Sequence, residues 1–188
     1  MKNYDVAIVG LGPTGGTLAN LIALGGFSVL ILEREKSFYP LPRAVHFDDE
    51  VMRVFQTIGI TNDFLKHTII NKGTKFVNSK GKTILDWPRP KKLTENGWYP
   101  SYRFNQPDLE RQLRKKLKKY KKVQIKQNTE VKKIHNTKDN VKIFFKNLLD
   151  KKNYEVQAKY VIGCDGANST TRKQIGTKMD NLGFTQKW

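Results

Sequence analysis

Tyr4-Asp5-Val6-Ala7-Ile8-Val9-Gly10-Leu11-Gly12-Pro13-Thr14-Gly15 opens the stretch that decides the fold; the apolar run Thr17 to Leu24, Gly25-Gly26 and Ser28-Val29-Leu30-Ile31-Leu32-Glu33 complete it. These parts read as a buried strand, a G-x-G-x-x-G turn, a helix, a glycine stop and a second buried strand ending on an acid. Each position has a mechanical job. Gly10 permits the tight turn, Gly12 lets a pyrophosphate approach the backbone, and Gly15 lets the helix lie close to the strand. The helix N-terminus offers unpaired N–H groups and about half a positive charge. Glu33, eighteen residues past Gly15, is placed to accept from ribose hydroxyls, and its charge would repel a 2′-phosphate. A bare glycine pattern is a weak signal, because glycines gather in many turns. The strand before it, the helix after it and the acid-tipped second strand make this one specific for a dinucleotide, without deciding between NAD and FAD.

The rest of the chain bounds the possibilities. At 188 residues it suits one domain, or one domain with a small lobe, and can bury a real core. Its single cysteine, Cys164, excludes an intramolecular disulfide and a cysteine-based zinc cage; no metal site is expected. Lys2 followed by apolar residues superficially resembles a signal peptide, but Asp5 and the six glycines from Gly10 to Gly26 break up any hydrophobic region. No run approaches the length of a spanning helix, so a soluble, cytoplasmic protein with no membrane partner is expected. The net charge of +18 makes nucleic acid a candidate partner. The cations are mostly lysine, 27 against 8 arginines, spread along the chain with 14 asparagines. That pattern reads better as a solvated surface. Arg114 to Lys122 is the densest basic run, and no aromatic residues interleave with its outward charges as a single-strand binder would need. No nucleic-acid partner is therefore expected.

Along the chain, Arg34 to Pro42 reads as a loop. A helix should run to Ile58 with Val51, Val54, Phe55 and Ile58 on one face, capped by Asp48 or Asp49 and ended by Gly59; Ile60 to Lys66 adds a short helical turn. Residues 71–100 form a β excursion: Thr74–Val77 and Lys82–Leu85 make a hairpin around Asn78-Ser79-Lys80-Gly81, and Pro88, Pro90, Gly97 and Pro100 make the remainder irregular. Pro107 opens a helix to about Tyr120 with the stripe Leu109, Leu113, Leu117 and Tyr120. Val123–Lys126, Glu130–His135, Val141–Leu149 and Tyr154–Ile162 are strand candidates, the last apolar enough for a central sheet.

That last strand leads into a second turn, Cys164-Asp165-Gly166-Ala167-Asn168-Ser169-Thr170-Thr171-Arg172. Asp165 can accept from a hydroxyl, Gly166 removes a side chain, and Ser169 can cap the helix that carries Arg172. Alone, this is equally another βα turn of a Rossmann-like sheet. With Gly10 to Glu33 it resembles the class A flavoprotein monooxygenases, the FAD-dependent aromatic hydroxylases. Pro42-Arg43-Ala44-Val45-His46-Phe47-Asp48-Asp49-Glu50 and Arg103-Phe104-Asn105-Gln106-Pro107-Asp108-Leu109-Glu110 are similar to the branch of 3-(3-hydroxyphenyl)propionate and phenol hydroxylases. The resemblance runs from Tyr4 to Trp188.

The resemblance implies an α/β, Rossmann-like FAD-binding domain over 1–188, with residues 71–100 reaching toward a substrate lobe. Gly10, Gly12 and Gly15 would line the FAD pyrophosphate, with Pro13 and Thr14 beside them, and Glu33 the adenosine ribose, with Arg34 next to it. Arg43 matches an arginine near the flavin and its phosphates, where a fixed positive charge suits a dianion; a salt bridge to Asp48 or Asp49 is the alternative. Gln106 matches a glutamine that contacts FAD, with helix capping as the alternative. Asp165 and Gly166 match a motif serving both FAD and the nicotinamide donor. His46 is read as a structural loop residue, and no catalytic residue is assigned, because the chemistry is the cofactor's. In this family NADH or NADPH reduces FAD, oxygen adds to the reduced flavin, and the resulting hydroperoxide hydroxylates a phenolic or aromatic substrate. Family members are about twice this length or more and carry a later Gly-Asp motif that this sequence lacks. The chain is therefore expected to be a hydroxylase fragment, truncated before the rest of the substrate domain, with an exposed apolar sheet edge and a homodimer mate or complementing carboxy-terminal half as its protein partners. An NAD-binding dehydrogenase-like domain, an inactive fragment and a basic nucleic-acid binder are the competing readings.

Overall fold

A computed structural model describes residues 3–41 and 43–185. Lys2, Pro42 and Gln186-Lys187-Trp188, which enter the sequence reading, lie outside the described residues. The chain divides into two compact units, Met1–Gly15 with Phe27–Lys36 and Val123–Trp188, and Gly16–Gly26 with Ser37–Lys122.

The first unit is a six-stranded mixed sheet. Its strands are β1 (Asn3–Val9), β2 (Val29–Leu32), β8 (Val123–Lys126), β9 (Thr129–Asn136), β10 (Val141–Asn147) and β11 (Asn153–Gly163), in the spatial order β8-β2-β1-β11-β10-β9. Parallel pairing sets Val6 to Val9 against Val29 to Leu32, and Asn3 to Val9 against Gln157 to Gly163. Every position of β2 is buried, as expected of a strand inside a parallel sheet. β10 pairs antiparallel with both β9 and β11. The core joins Tyr4, Ala7, Val9, Leu30 and Leu32 to Val131, Ile143, Phe145, Val156 and Ala158. A short helix, α5 (Thr170–Gln174), follows β11.

Helix α1 (Pro13–Leu24) starts at the edge of the first unit and continues into the second. The second unit also holds β3 (His46–Asp48), α2 (Asp49–Ile58), α3 (Thr61–Phe64), a 3₁₀ turn at Leu65–His67, β4 (Thr68–Ile70), the hairpin β5 (Gly73–Val77) and β6 (Thr83–Pro88), β7 (Ser101–Phe104) and α4 (Gln106–Leu117). Strands β3, β7 and β4 form an antiparallel sheet in the order β3-β7-β4. Phe47, on the edge strand β3, is stacked on Phe64 and Tyr102 and edge-on to Phe55 and Phe104.

Several expectations need correction. His46 sits on β3 opposite Arg103 rather than in a loop. Asp48 caps α2, accepting from the Val51 N–H at 2.9 Å; this sets the phase of the helix so that Met52, Phe55 and Ile58 are its buried residues, while Val51 faces outward. Gly59, at φ +77°, ends it in the left-handed conformation. Helix α4 stops at Leu117, and Tyr120 belongs to the turn beyond, where its N–H donates to the Leu117 carbonyl at 3.2 Å. The hairpin forms as expected, and Phe76, Val77, Ile84, Leu85 and Trp87 on it are all exposed.

Candidate functional site: a glycine turn, an acid turn and an arginine loop

In the first unit the turn after β1 is tied to its neighbours by its backbone. The Gly10 N–H donates to the Leu32 carbonyl at 2.8 Å, and Gly10 takes φ +99°. A Cβ at Gly10 would run into the Cys164 carbonyl, and one at Gly15 into the Gly10 carbonyl. Both glycines are required by the protein's own close packing. Gly12 is different: a Cβ there would meet no heavy atom within 4 Å. Its missing side chain leaves a cradle beside the start of α1, whose first turn carries no acid to offset the helix dipole. Pro13 opens the helix and Thr14 is exposed on its first turn.

Glu33, at the end of β2, closes over this turn. Its Oε2 accepts from the Leu11 N–H at 2.6 Å and its Oε1 from the Glu35 N–H at 2.8 Å. A carboxylate has about four lone-pair directions, so these two bonds leave acceptor capacity for a ribose hydroxyl. Arg34 turns outward and pairs with Glu35 at 3.0 Å.

The turn after β11 packs against the first. The Cys164 N–H donates to the Val9 carbonyl at 2.7 Å. Asp165 accepts from the Ser169 hydroxyl at 2.6 Å with Oδ1, and from the Thr171 N–H at 3.0 Å and hydroxyl at 3.3 Å with Oδ2. Ser169 in turn caps α5, accepting from the Arg172 N–H at 2.9 Å, and the Arg172 guanidinium donates back to the Ala167 carbonyl at 2.8 Å. Burial works to raise the Asp165 pKa, but the hydrogen bonds from Ser169 and the Thr171 backbone outweigh it and hold the carboxyl below its ordinary value. Burial, with the Asp165 charge, pushes the Cys164 thiol up. Gly166 takes φ +76°; it is needed for the backbone turn rather than for a close approach, since a Cβ there would be free of contacts. Sequence reasoning missed Gly163, where a Cβ would strike the Thr171 side chain. That glycine lets α5 sit against the end of β11.

In the second unit Arg43 and Gln106 come together. Gln106 is buried and its Oε1 accepts from two successive backbone N–H groups, Arg43 at 3.1 Å and Ala44 at 2.9 Å. Its Nε2 donates to Glu110 Oε1 at 3.0 Å. Glu110, also buried, faces the Arg114 guanidinium at 3.7 Å. The Arg43 guanidinium lies 4.2 Å over the Tyr39 ring. The alternatives for these two residues are thereby replaced. Asp48 serves the helix cap, and Asp49 accepts from Thr94 at 2.6 Å and Asn96 at 2.7 Å, bonds that lower its pKa. The residue before the helix is Asn105, and Gln106 reaches the loop instead of capping. Glu110 and Tyr39 were missed as supports, although Glu110 is four residues past Gln106, one helical turn on.

A surface recess of about 310 Å³ at the β9–β10 turn, bordered by Asp139, Asn140, Lys159 and Tyr160, holds none of the matched residues. Among the described residues no helix is long and apolar enough to cross a membrane.

The chain is 36% identical over 189 aligned positions to a probable NADH-specific resorcinol 4-hydroxylase of Rhodococcus jostii (strain RHA1), with 100% of the chain and 35% of that protein aligned. It is 33% identical to a 3-(3-hydroxy-phenyl)propionate/3-hydroxycinnamic acid hydroxylase of Mycolicibacterium gilvum (strain PYR-GCK), with 99% of the chain and 32% of that protein aligned. The fold superposes on p-nitrophenol 4-monooxygenase PnpA from Pseudomonas putida DLL-E4 with a TM-score of 0.86 at 24% identity, covering 97% of this chain and 46% of that one. It superposes on the flavin-dependent monooxygenase PieE, solved with FAD and substrate, with a TM-score of 0.85 at 21% identity, covering 95% and 33%. The chain thus spans about a third of the length of the curated relatives it matches. The FAD binding domain model matches residues 3–188, and the chain belongs to that family.

Proposed function

We propose that this chain binds FAD and serves as the FAD-binding portion of a monooxygenase that uses NADH or NADPH and oxygen to hydroxylate a phenolic or aromatic ring. The observation that carries the reading is the cradle at Gly12. The packing of the protein gives no reason for glycine at that position, whereas Gly10 and Gly15 are explained by contacts with backbone atoms. A pyrophosphate lying against the backbone at the start of α1 supplies the reason. Glu33 adds the ribose acceptor, already oriented by the Leu11 and Glu35 N–H groups.

In this reading Gly10, Gly12, Pro13, Thr14 and Gly15 hold the pyrophosphate, and Glu33, with Arg34 alongside, holds the adenosine ribose. Arg43 supplies a permanent cation for phosphate, Gln106 steadies the loop that carries Arg43, and Asp165-Gly166 shapes the second turn. FAD, when bound, supplies the redox chemistry. The protein residues bind and orient it, and no side chain is assigned a proton-transfer role. Similarity to a resorcinol hydroxylase and a hydroxyphenylpropionate hydroxylase supports an electron-rich ring as the substrate class, and the NADH specificity of the first supports NADH as donor.

Titration of the purified chain with FAD, followed by quenching of flavin fluorescence, tests the reading. Saturable one-to-one uptake of FAD, with FMN bound much more weakly for want of the adenosine half, is the expected result. Tighter binding of NADH than of FAD would sink it in favour of a dehydrogenase-like domain.

A further inference from the structure

We infer that Gln106 is a positioning residue that acts on the cofactor through Arg43, with Glu110 and Tyr39 as the other two parts of the same device. The inference rests on the FAD reading above and concerns how this chain presents its arginine to a phosphate.

The hydrogen-bond inventory of the amide leads to it. The carbonyl oxygen of a glutamine side chain has two acceptor directions and its nitrogen two donors. Gln106 Oε1 accepts from the N–H groups of both Arg43 and Ala44. Its acceptor capacity is spent on the loop, and removing it would leave two successive backbone N–H groups without this partner. One Nε2 hydrogen goes to Glu110. Because a carboxylate can only accept, Glu110 also settles which way the amide points: its nitrogen must face Glu110, so its oxygen must face the loop. Arg114, 3.7 Å from the other Glu110 oxygen, offsets the buried charge.

The side chain of Arg43 is held separately. Stacking on the face of Tyr39 leaves the in-plane N–H groups of the guanidinium available, and a guanidinium fork matches two phosphate oxygens. Gln106 therefore fixes where the backbone of the arginine begins, and Tyr39 fixes the plane in which its donors fan out. Both reduce the conformational freedom that Arg43 would otherwise lose on binding an anion.

The test uses the full chain with Gln106→Met, which keeps the volume and removes the acceptor, together with Arg43→Met and the double variant. In cofactor-free protein, amide exchange at Arg43 and Ala44 should quicken at least about tenfold in Gln106→Met, while Val51, bonded to Asp48, keeps its wild-type rate. Each single variant should weaken FAD binding about tenfold, the scale of one charge-assisted hydrogen bond. The double variant should fall no more than about twofold below Arg43→Met, since residues acting as one unit are not additive. Unchanged exchange at Arg43 and Ala44, or fully additive losses of about a hundredfold, would overturn the role. A wild-type chain that takes up no FAD overturns the FAD reading and this role together; exchange that still responds to Gln106→Met tells that failure apart from a wrong account of the loop.

Discussion

The turns after β1 and β11 follow neighbouring parallel strands and each leads into a helix, yet they are stabilised in different ways. The first borrows its acid from another strand: Glu33 reaches back 22 residues to the Leu11 N–H, and two glycines are demanded by contacts with backbone carbonyls. The second has its acid bonded locally, Asp165 to Ser169 and Thr171 four and six residues on. A local hydrogen-bonded turn holds its own shape. The glycine turn depends on the sheet around it and keeps one position, Gly12, clear of protein atoms. In the proposed function the glycine turn is the receiving one and the acid turn supports it.

Substitutions can break that comparison, and the largest effect is expected at Gly15. A valine there drives its Cβ into the Gly10 carbonyl, a backbone atom that cannot rotate away, and about 3 kcal/mol of stability should be lost in urea unfolding. Loss of less than about 1 kcal/mol would mean that the turn is not packed as described.

Asp165→Asn should come next, costing about 1–2 kcal/mol at pH 7, because the amide nitrogen cannot accept from Thr171 or Ser169. The sign of its pH dependence follows from the lowered pKa. The unfolded chain takes up its proton first, so the stabilisation is present above the ordinary carboxylate range of about 4 and is lost as pH falls through the folded value. Asp5 contributes in the same direction: the Lys159 ammonium, then the Ser28 backbone and hydroxyl, hold its carboxyl well below the usual range. Urea midpoints measured from pH 7 down to pH 3 should therefore fall less steeply for Asp165→Asn than for wild type. Parallel curves would remove Asp165 from the acid response.

The smallest stability effect should be at Gly12. Gly12→Ala is expected to move the unfolding free energy by no more than about 0.5 kcal/mol, while weakening FAD about tenfold. Of the three this substitution sharpens the comparison most, since it asks for a binding loss without a folding loss. An alanine variant that unfolds as readily as the valine at Gly15 would erase the distinction.

The sequence exposed the first unit well for a physical reason. Parallel strands buried on both faces are written as unbroken apolar runs, Val6 to Val9 and Val29 to Leu32, and the turns between them need glycines that stand out. The sheet β3-β7-β4 was hidden because its strands are three or four residues long and their pairing is set by the aromatic cluster around Phe47, not by alternation. Phase was also misjudged at Val51, where the Asp48 cap decided which residues turn inward. At the candidate site the matched residues were legible one at a time. Their partners were not: Gln106 meets Arg43 and Ala44 across 63 and 62 residues, and no local periodicity carries a contact that distant. Gly163 was overlooked because its reason, the Thr171 side chain, is visible only after α5 has docked on β11.

Strand β11 has a consequence for the order of assembly. It pairs antiparallel with β10 across a short turn and parallel with β1 over most of the chain's length; Asp5 and Lys159, joined at 2.8 Å, are 154 residues apart. The β9–β10–β11 meander can form from nearby segments, whereas closing β1 onto β11 carries the entropy of a very long loop. On the ribosome β1 must wait for β11 until the residues between them have been made. The glycine turn, which lies against the Cys164 carbonyl, thus takes its final shape only after β11, made long after it, has docked beside β1.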